Sequence, residues 1–255
     1  MGYPLVPGYE AVGEVVEAYG GAAFKPGDSV FVPGAHCFTN ARALFGASSK
    51  YVVASKDRVT KIDRQLDQAG VTFALAATAY HAIANGAAPD LIVGHGVFGR
   101  LLARLTRATG ATAPTVWEVA PKRMSGGDGY RVVHPDEDAR RDYASIYDAS
   151  GDAGLLNQLI GRLTRGGEIV LAGFYPGQVS FAFAPAFMNE ARFRIAAEWQ
   201  PSDLDALVRL IDDQKLSLNN LVSHTAAVAS PTAAYQTAFS DPGCIKMALD
   251  WRSTT

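Results

Sequence analysis

Cysteine is scarce in this chain of 255 residues: Cys37 and Cys244 are the only two, which is too few for a disulfide framework. Neither sign of charge dominates, because 23 basic and 25 acidic side chains leave a net charge of −2. This balance gives no electrostatic basis for binding nucleic acid or an anionic membrane surface. No apolar run approaches the ~18 residues of a membrane span, and residues 1–7 lack the basic and apolar regions of a signal peptide. These absences predict a cytoplasmic protein without a transmembrane segment.

The composition that remains favours a folded protein with a large core. Hydrophobic residues make up 48% of the chain and charged residues 19%, which argues against disorder. The first 65 residues contain short strand-like runs separated by glycine and proline turns, a pattern typical of a β-rich barrel or sandwich. These predicted strands are residues 11–18, 29–32, 49–54 and 58–62.

The pattern changes after residue 65. An alanine-rich helix is predicted over residues 66–85. Strands then alternate with helices as far as residue 197, which is typical of a doubly wound parallel sheet. The predicted strands are 91–93, 115–119, 145–148, 168–172 and 192–197; the predicted helices are about 97–109 and 153–164, followed by helices over 201–213 and 231–239 and a last strand over 245–251.

A glycine-rich motif joins the first of these strands to the next helix. Apolar residues 91–93 run into Gly94-His95-Gly96-Val97-Phe98-Gly99, the Gly-x-Gly-x-x-Gly pattern. The first glycine permits a tight turn, the second lets the backbone approach a pyrophosphate, and the third lets the helix pack close to the strand. The free N–H groups of the first helical turn face the anion. We therefore predict a dinucleotide-binding loop formed by Gly94, His95, Gly96, Val97, Phe98 and Gly99.

An acidic residue follows at the position expected for a ribose ligand. Glu118 ends the second predicted strand, 19 residues after Gly99. A carboxylate there binds a ribose hydroxyl and repels the additional phosphate of NADP, so NAD is the predicted cofactor. The nearby cations Lys122 and Arg123 partly offset this repulsion and so reduce the predicted preference for NAD. Asp148 and Ala149 end a further strand at the carboxyl edge, where ligands gather in such sheets. They are cofactor-binding candidates, with an ordinary strand-to-helix loop as the alternative.

Further motifs resemble the medium-chain dehydrogenase/reductase family. Pro7-Gly8-Tyr9-Glu10-Ala11-Val12-Gly13, followed by Gly27-Asp28-Ser29-Val30, is similar to the G-H-E-x-x-G and G-D-x-V patterns of the family. Residues 77–82 resemble its helix leading into the cofactor domain, and residues 166–173 its last core strand. The resemblance implies a Rossmann-type doubly wound sheet plus a β-rich GroES-like domain, and it makes Gly173 a cofactor-binding candidate.

The same resemblance implies a domain organisation. Residues 1–85 correspond to the GroES-like catalytic domain, 86–205 to the Rossmann domain, and 206–255 to a segment returning to the catalytic domain. Because the resemblance begins at the G-H-E-like motif, the first strands of the family are unmatched. The GroES-like domain is therefore expected to be truncated at its N-terminus.

A finer resemblance concerns the substrate. Residues 117–118, 147–152 and 196–204 are similar to a branch of the family that acts in bacteriochlorophyll biosynthesis. That branch uses NAD to oxidise the 1-hydroxyethyl group of a tetrapyrrole to an acetyl group. The resemblance implies an alcohol dehydrogenase with a small-molecule tetrapyrrole substrate, a homo-oligomer, and a location in the cytoplasm or at the periphery of the photosynthetic membrane. Aromatic residues that suit a flat macrocycle, but equally a core or a subunit interface, are Phe174, Tyr175, Phe181, Phe183, Phe187 and Trp199.

Zinc is not expected. Two positions that hold zinc ligands in zinc-dependent relatives correspond to Tyr9 and Ala74, neither of which offers an imidazole or a thiolate. The adjacent residues His36 and Cys37 seldom bind one metal together. Without zinc, side chains or a water relay must take the hydroxyl proton and stabilise the alkoxide. The catalytic candidates are Tyr9, Glu10, His36 and Thr78, each with packing or hydrogen bonding as its alternative role.

Two other histidines are assigned no chemistry. His81 lies on an apolar helix and is expected to be a hydrogen-bonded core residue, whereas His95 is expected to contact the phosphates or solvent. Two other functions remain open at this point. One is a zinc-free quinone or enoyl reductase that uses NADPH, against which Glu118 argues; the other is a truncated chain that binds nucleotide without turnover.

Overall fold

The computed structural model describes residues 2–19 and 23–252. The strands are β1 Leu5–Val6, β2 Ala11–Glu14, β3 Ser29–Val32, β4 Arg42–Ala43, β5 Thr60–Lys61, β6 Leu91–Val93, β7 Thr115–Trp117, β8 Arg131–Val133, β9 Tyr143–Asp148, β10 Leu163–Leu171, β11 Arg192–Ile195, β12 His224–Ala227 and β13 Met247–Asp250. The α-helices are α1 Phe73–Ala84, α2 Val97–Ala108, α3 Leu156–Ile160, α4 Phe183–Met188, α5 Pro201–Asp212 and α6 Pro231–Ser240. Within the described ranges, no helix is long and apolar enough to cross a membrane.

The chain divides into two units. The first comprises Met1–Ala74 and Leu218–Thr255, and the second comprises Leu75–Ser217. The boundaries expected from the sequence, 85/86 and 205/206, fall inside the second unit. Two hydrogen bonds attach the residues near these boundaries to the second unit: the Tyr147 hydroxyl donates to the Ala82 carbonyl over 3.1 Å, and Arg104 Nη1 donates to the Ser217 carbonyl over 2.9 Å.

The second unit is built on a six-stranded, all-parallel sheet. Its strand order is β11-β10-β9-β6-β7-β8. Numbered from β6, this is the 3-2-1-4-5-6 order of a doubly wound dinucleotide-binding fold, in which the direction of winding reverses between β6 and β9. The fold class predicted from strand–helix alternation is thus confirmed.

Burial explains why the sequence forms this sheet. All three residues of β6 are at most 4% exposed, as expected for a strand covered on both faces. The α2 side chains Leu101, Leu102 and Leu105 are fully buried. Asp138 forms a buried polar cluster with two of the strands, because it accepts hydrogen bonds from Trp117 Nε1 of β7 and the Tyr143 hydroxyl of β9, both over 2.7 Å.

The first unit is β-rich, as predicted. Strands β2, β3 and β5 form an antiparallel sheet in that order, with β3 in the centre. Strands β1 and β4 form a parallel pair, as do β12 and β13, which are connected through α6. The strand predicted over residues 49–54 is wrong, because this segment pairs with no strand of the described chain and Val53 is 78% exposed. Valine and tyrosine favour a strand only where a half-buried surface receives them.

Three elements of the second unit differ from the sequence prediction. The helix predicted over residues 153–164 is a 3-10 turn over Ala153–Leu155 followed by α3, which ends at Ile160, and β10 already begins at Leu163. The edge strand β8 was not predicted. The short helix α4 was also missed, and it contains Pro185 and two phenylalanines rather than a helical period.

Candidate functional site

The glycine-rich loop connects β6 to α2, as the sequence predicts. Gly94 has a φ of +97°, a conformation that side chains rarely adopt, and its N–H donates to the Trp117 carbonyl over 2.9 Å. A Cβ built on Gly99 would lie only 1.9 Å from the Gly94 carbonyl oxygen. The third glycine therefore permits the close packing of helix and strand that the motif requires.

Gly96 serves a different purpose. Its φ of −71° and ψ of −172° are available to any residue, so the backbone conformation does not require glycine. A Cβ built there would have a single neighbour within 4 Å, Arg123 Nη1 at 3.9 Å. Gly96 thus faces open space at the start of α2, where the N–H groups of the first turn have no acceptor within the helix. This cradle fits the pyrophosphate of a dinucleotide, which the helix dipole also favours.

The loop lies at the reversal point of the sheet. The Ala149 N–H, just after β9, donates to the Val93 carbonyl over 2.9 Å. A Cβ on Gly94 would lie 3.3 Å from the Ser150 nitrogen, so the two loops are in close contact. Ligands of open α/β sheets bind in the crevice that forms at such a reversal.

Glu118 directly follows β7, the neighbour of β6 on the side opposite β9, and its side chain is anchored by backbone amides. Its Oε2 accepts the His95 N–H over 2.9 Å, and its Oε1 accepts the N–H groups of Val119 and Ala120, both over 2.8 Å. A carboxylate offers about four acceptor positions, so three amides leave capacity on Oε2 for a ribose hydroxyl. The residue is 7% exposed, and its geometry fits the role that its spacing predicts.

The His95 side chain does not reach solvent, which corrects the expected solvent contact, whereas a contact of His95 with the cofactor phosphates stays a prediction. The residue is fully buried, with Nδ1 at 2.6 Å from the Arg123 carbonyl and Nε2 at 2.9 Å from the Tyr130 hydroxyl. Burial lowers the pKa of the imidazole to about 4. Both nitrogens of the neutral ring have hydrogen-bond partners inside the protein, so the buried orientation of the ring is stable.

Asp148 shapes the crevice rather than facing it. Its carboxylate is fully buried and accepts hydrogen bonds from the Ser150 N–H over 2.8 Å, the Ser150 hydroxyl over 2.6 Å and the Tyr175 hydroxyl over 2.6 Å. Burial and this carboxylate raise the pKa of Tyr175. The Gly173 N–H donates to the Asp148 carbonyl over 2.8 Å, so Asp148 joins the loops after β9 and β10.

In the first unit, Glu10 forms a buried ion pair. Its side chain is 1% exposed; Oε1 lies 2.7 Å from Lys246 Nζ, and Oε2 accepts the Ala74 N–H over 2.7 Å. Burial raises the pKa of Glu10, whereas Lys246 and the amide of Ala74 lower it. Both oxygens are engaged in holding residues 10, 74 and 246 together.

The other catalytic candidates lie on different elements of the chain. Tyr9 packs edge-on against Phe45, with ring centroids 4.9 Å apart, and His36 is exposed between β3 and β4. Thr78 is half-buried on α1 and belongs to the second unit. Across residues 2–19 and 23–252, no group of three histidine, cysteine or acidic side chains is arranged to hold a metal ion.

Sequence reasoning missed Arg100, which is 6% exposed and lies directly after the third glycine. The available signal was the position of this arginine directly after the third glycine, on a helix that also carries Arg104 and Arg107. His81 is hydrogen-bonded, as expected, but only half-buried: its Nδ1 lies 2.8 Å from Asp203 Oδ2, which also accepts the Gln200 N–H at the start of α5.

Comparisons with known proteins agree with this architecture. The alcohol dehydrogenase GroES-like domain family matches residues 1–64. L-idonate 5-dehydrogenase from Escherichia coli K-12 superposes with a TM-score of 0.83 at 17% identity, covering 97% of this chain and 82% of that one. An alcohol dehydrogenase from Escherichia coli CFT073, solved with NADH, gives a TM-score of 0.81 at 17% identity, covering 98% and 85%. At such identities the likeness establishes the fold alone.

Two curated relatives are much more similar in sequence. The 2-desacetyl-2-hydroxyethyl bacteriochlorophyllide A dehydrogenase of Rhodobacter capsulatus is 58% identical over 255 residues, which cover 99% of this chain and 81% of that protein. The protein of the same name from Cereibacter sphaeroides is 58% identical over 261 residues, covering 100% and 82%. The chain therefore belongs to the family of these bacteriochlorophyllide dehydrogenases, within the medium-chain dehydrogenase/reductases.

Proposed function

We propose that this protein oxidises the 3-(1-hydroxyethyl) group of a bacteriochlorophyllide to a 3-acetyl group, with NAD as the hydride acceptor. The observation that carries the proposal is the 58% identity, over 99% of the chain, to a dehydrogenase named for that substrate. The open cradle at Gly96 and the anchored carboxylate of Glu118 supply the cofactor site that such a reaction needs.

The residues of the second unit bind and orient the cofactor in this proposal. The amides at the start of α2 hold the pyrophosphate, Glu118 accepts a hydrogen bond from the adenosine ribose, and the loops joined by Asp148 border the crevice. Bound NAD supplies the nicotinamide ring that accepts hydride from the alcohol carbon. The protein must then take the hydroxyl proton and stabilise the developing alkoxide.

We assign the proton chemistry to Tyr9, His36 and Thr78, the three other catalytic candidates of the family resemblance. Glu10 is assigned a structural role, because both of its carboxylate oxygens bind Lys246 and the Ala74 amide. We propose that the reaction is independent of zinc, because tyrosine and alanine occupy two positions where zinc-dependent relatives carry ligands.

Incubating the purified protein with 3-(1-hydroxyethyl)bacteriochlorophyllide a and NAD tests the function. The absorption shift of the pigment reports the acetyl product, and a parallel reaction contains a strong chelator. We expect the same rate in both. No product in either reaction, from a protein that binds NADH, contradicts the substrate assignment; product only without chelator contradicts zinc independence.

Glu118 is expected to make the protein prefer NAD to NADP. The additional phosphate of NADP would place negative charge beside a buried carboxylate that is fixed by three amides. Binding titrations should give an NADPH dissociation constant at least ~10-fold above that of NADH, a difference of about 1.4 kcal/mol. Equal affinities, or tighter NADPH binding, would instead favour a quinone or enoyl reductase.

We propose a homodimer that forms through the β11 edge of the sheet. Strand β11 has no outer neighbour among the described residues, and Phe183, Phe187, Met188 and Ile195 are each at least 66% exposed. An open strand edge beside exposed apolar side chains favours pairing with a second strand. Sedimentation should detect a dimer in the wild type and a monomer in Ile195→Glu; a monomeric wild type contradicts the proposal.

A further inference from the structure

Arg100 holds one segment of the chain through backbone carbonyls. From α2, its guanidinium donates to the carbonyls of His95 over 3.1 Å, Arg123 over 3.4 Å, Ser125 over 2.8 Å and Gly126 over 3.3 Å. The side chain is almost entirely inside the protein. A guanidinium presents five donors in a planar fork, so one residue can bind four carbonyls that point in different directions.

His95 fastens the same segment from a second side. A carbonyl can only accept, so the short contact between His95 Nδ1 and the Arg123 carbonyl places the ring proton on Nδ1. Because the ring is neutral, Nε2 accepts the hydrogen bond from the Tyr130 hydroxyl. This arrangement fixes the tautomer and orientation of the ring and joins the glycine-rich loop to the start of β8.

The segment held in this way, residues 119–126, borders the candidate cofactor site. It begins with Val119 and Ala120, whose amides bind Glu118. Further along, the Arg123 side chain reaches to 3.9 Å from the position of a Cβ on Gly96. The same segment thus touches both the ribose-binding carboxylate and the phosphate cradle.

We infer that Arg100 is a positioning residue that sets the affinity for the dinucleotide and the discrimination between NAD and NADP. It does so by holding residues 119–126, and with them Glu118, at the adenosine side of the site. This inference rests on the proposed function as an NAD-dependent dehydrogenase. Arg100 itself stays inside the protein and acts through the segment.

Arg100→Lys tests this inference because it retains the charge but replaces the planar fork by a single ammonium group. The matched control is Arg107→Lys, the same substitution two turns along α2, at a half-exposed arginine whose Nη1 donates to the Asp128 carbonyl of the same connection. Calorimetric titration with NADH and with NADPH measures both affinities. Hydrogen exchange of the cofactor-free protein measures the order of residues 119–126.

We expect Arg100→Lys to raise the NADH dissociation constant at least ~10-fold and the NADPH dissociation constant by less, which reduces the preference for NADH over NADPH. In the Arg107→Lys control, both dissociation constants should stay within about twofold of wild type. Exchange of the 119–126 amides should accelerate in Arg100→Lys only. At saturating NAD, the kcat of Arg100→Lys should stay within about threefold of wild type. The substitution weakens binding of the adenosine end of the cofactor, and a high NAD concentration compensates for weaker binding.

Three results would overturn the inference. They are unchanged exchange in Arg100→Lys, equal losses for the two cofactors, and a wild type that binds neither cofactor. A different result would contradict the proposed function. A wild type that binds NADH but leaves the bacteriochlorophyllide unchanged contradicts the substrate, while the titrations still decide the role of Arg100.

Discussion

Gly96→Ala is expected to weaken NADH binding by about 10- to 100-fold while leaving the fold intact. The backbone at Gly96 already has a conformation open to alanine, and the added methyl group would meet no protein atom closer than 3.9 Å. The methyl group therefore costs the free protein little. It occupies the space through which the pyrophosphate must approach the amides of α2, and steric overfilling of this kind costs about 1–3 kcal/mol. Each 1.4 kcal/mol is about a tenfold change in the dissociation constant.

Two other glycines provide controls for this experiment. Gly99→Ala would press a methyl group against the Gly94 carbonyl oxygen at 1.9 Å, so it should lower the melting temperature as well as binding. Gly177→Ala adds a methyl group in open space and should change neither the melting temperature nor the affinity for NADH. Titration with NADH and thermal unfolding on all three variants separate the effects. Wild-type affinity in a well-folded Gly96→Ala would show that the dinucleotide does not lie against this loop.

The glycine-rich loop could be predicted from sequence because its conformation depends on glycine at fixed spacing. Gly94 needs a positive φ, Gly99 needs the absence of a Cβ, and both requirements are local. The parallel sheet was equally accessible, because a buried strand such as 91–93 is apolar throughout and a helix follows it.

What the sequence did not reveal depends on contacts between distant residues. The run 49–54 has the composition of a strand, but no partner strand lies beside it in the described chain. His95 lies in the glycine-rich motif, yet its ring is buried because Arg123 and Tyr130, 28 and 35 residues away, offer hydrogen bonds. Local propensity cannot anticipate such partners, and Arg100 was missed for the same reason.

Lys246→Met is expected to lower the free energy of unfolding by about 3 kcal/mol at pH 8. Glu10 and Lys246 lie far apart in the sequence but form an ion pair of 2.7 Å, and the carboxylate is 1% exposed. Removing one partner leaves a buried charge uncompensated, which typically costs about 3–5 kcal/mol. We expect the lower end of this energy range because the Lys246 side chain is 18% exposed, so the pair is not entirely shielded from water. Urea unfolding measures the loss, and the double variant Glu10→Gln with Lys246→Met should recover most of it.

The pH dependence distinguishes this electrostatic cause from lost packing. Burial raises the pKa of Glu10 above its ordinary value of 4.5, and Lys246 opposes that rise, so Lys246→Met raises the pKa further. A carboxyl group whose pKa is higher in the folded than in the unfolded state stabilises the protein most below the unfolded value. That stability is lost as the pH rises through the folded pKa. The deficit of Lys246→Met should therefore be small near pH 4 and grow toward pH 8, whereas the double variant should show no such growth. A deficit that is constant across this range would instead assign the loss to the packing of the lysine stem.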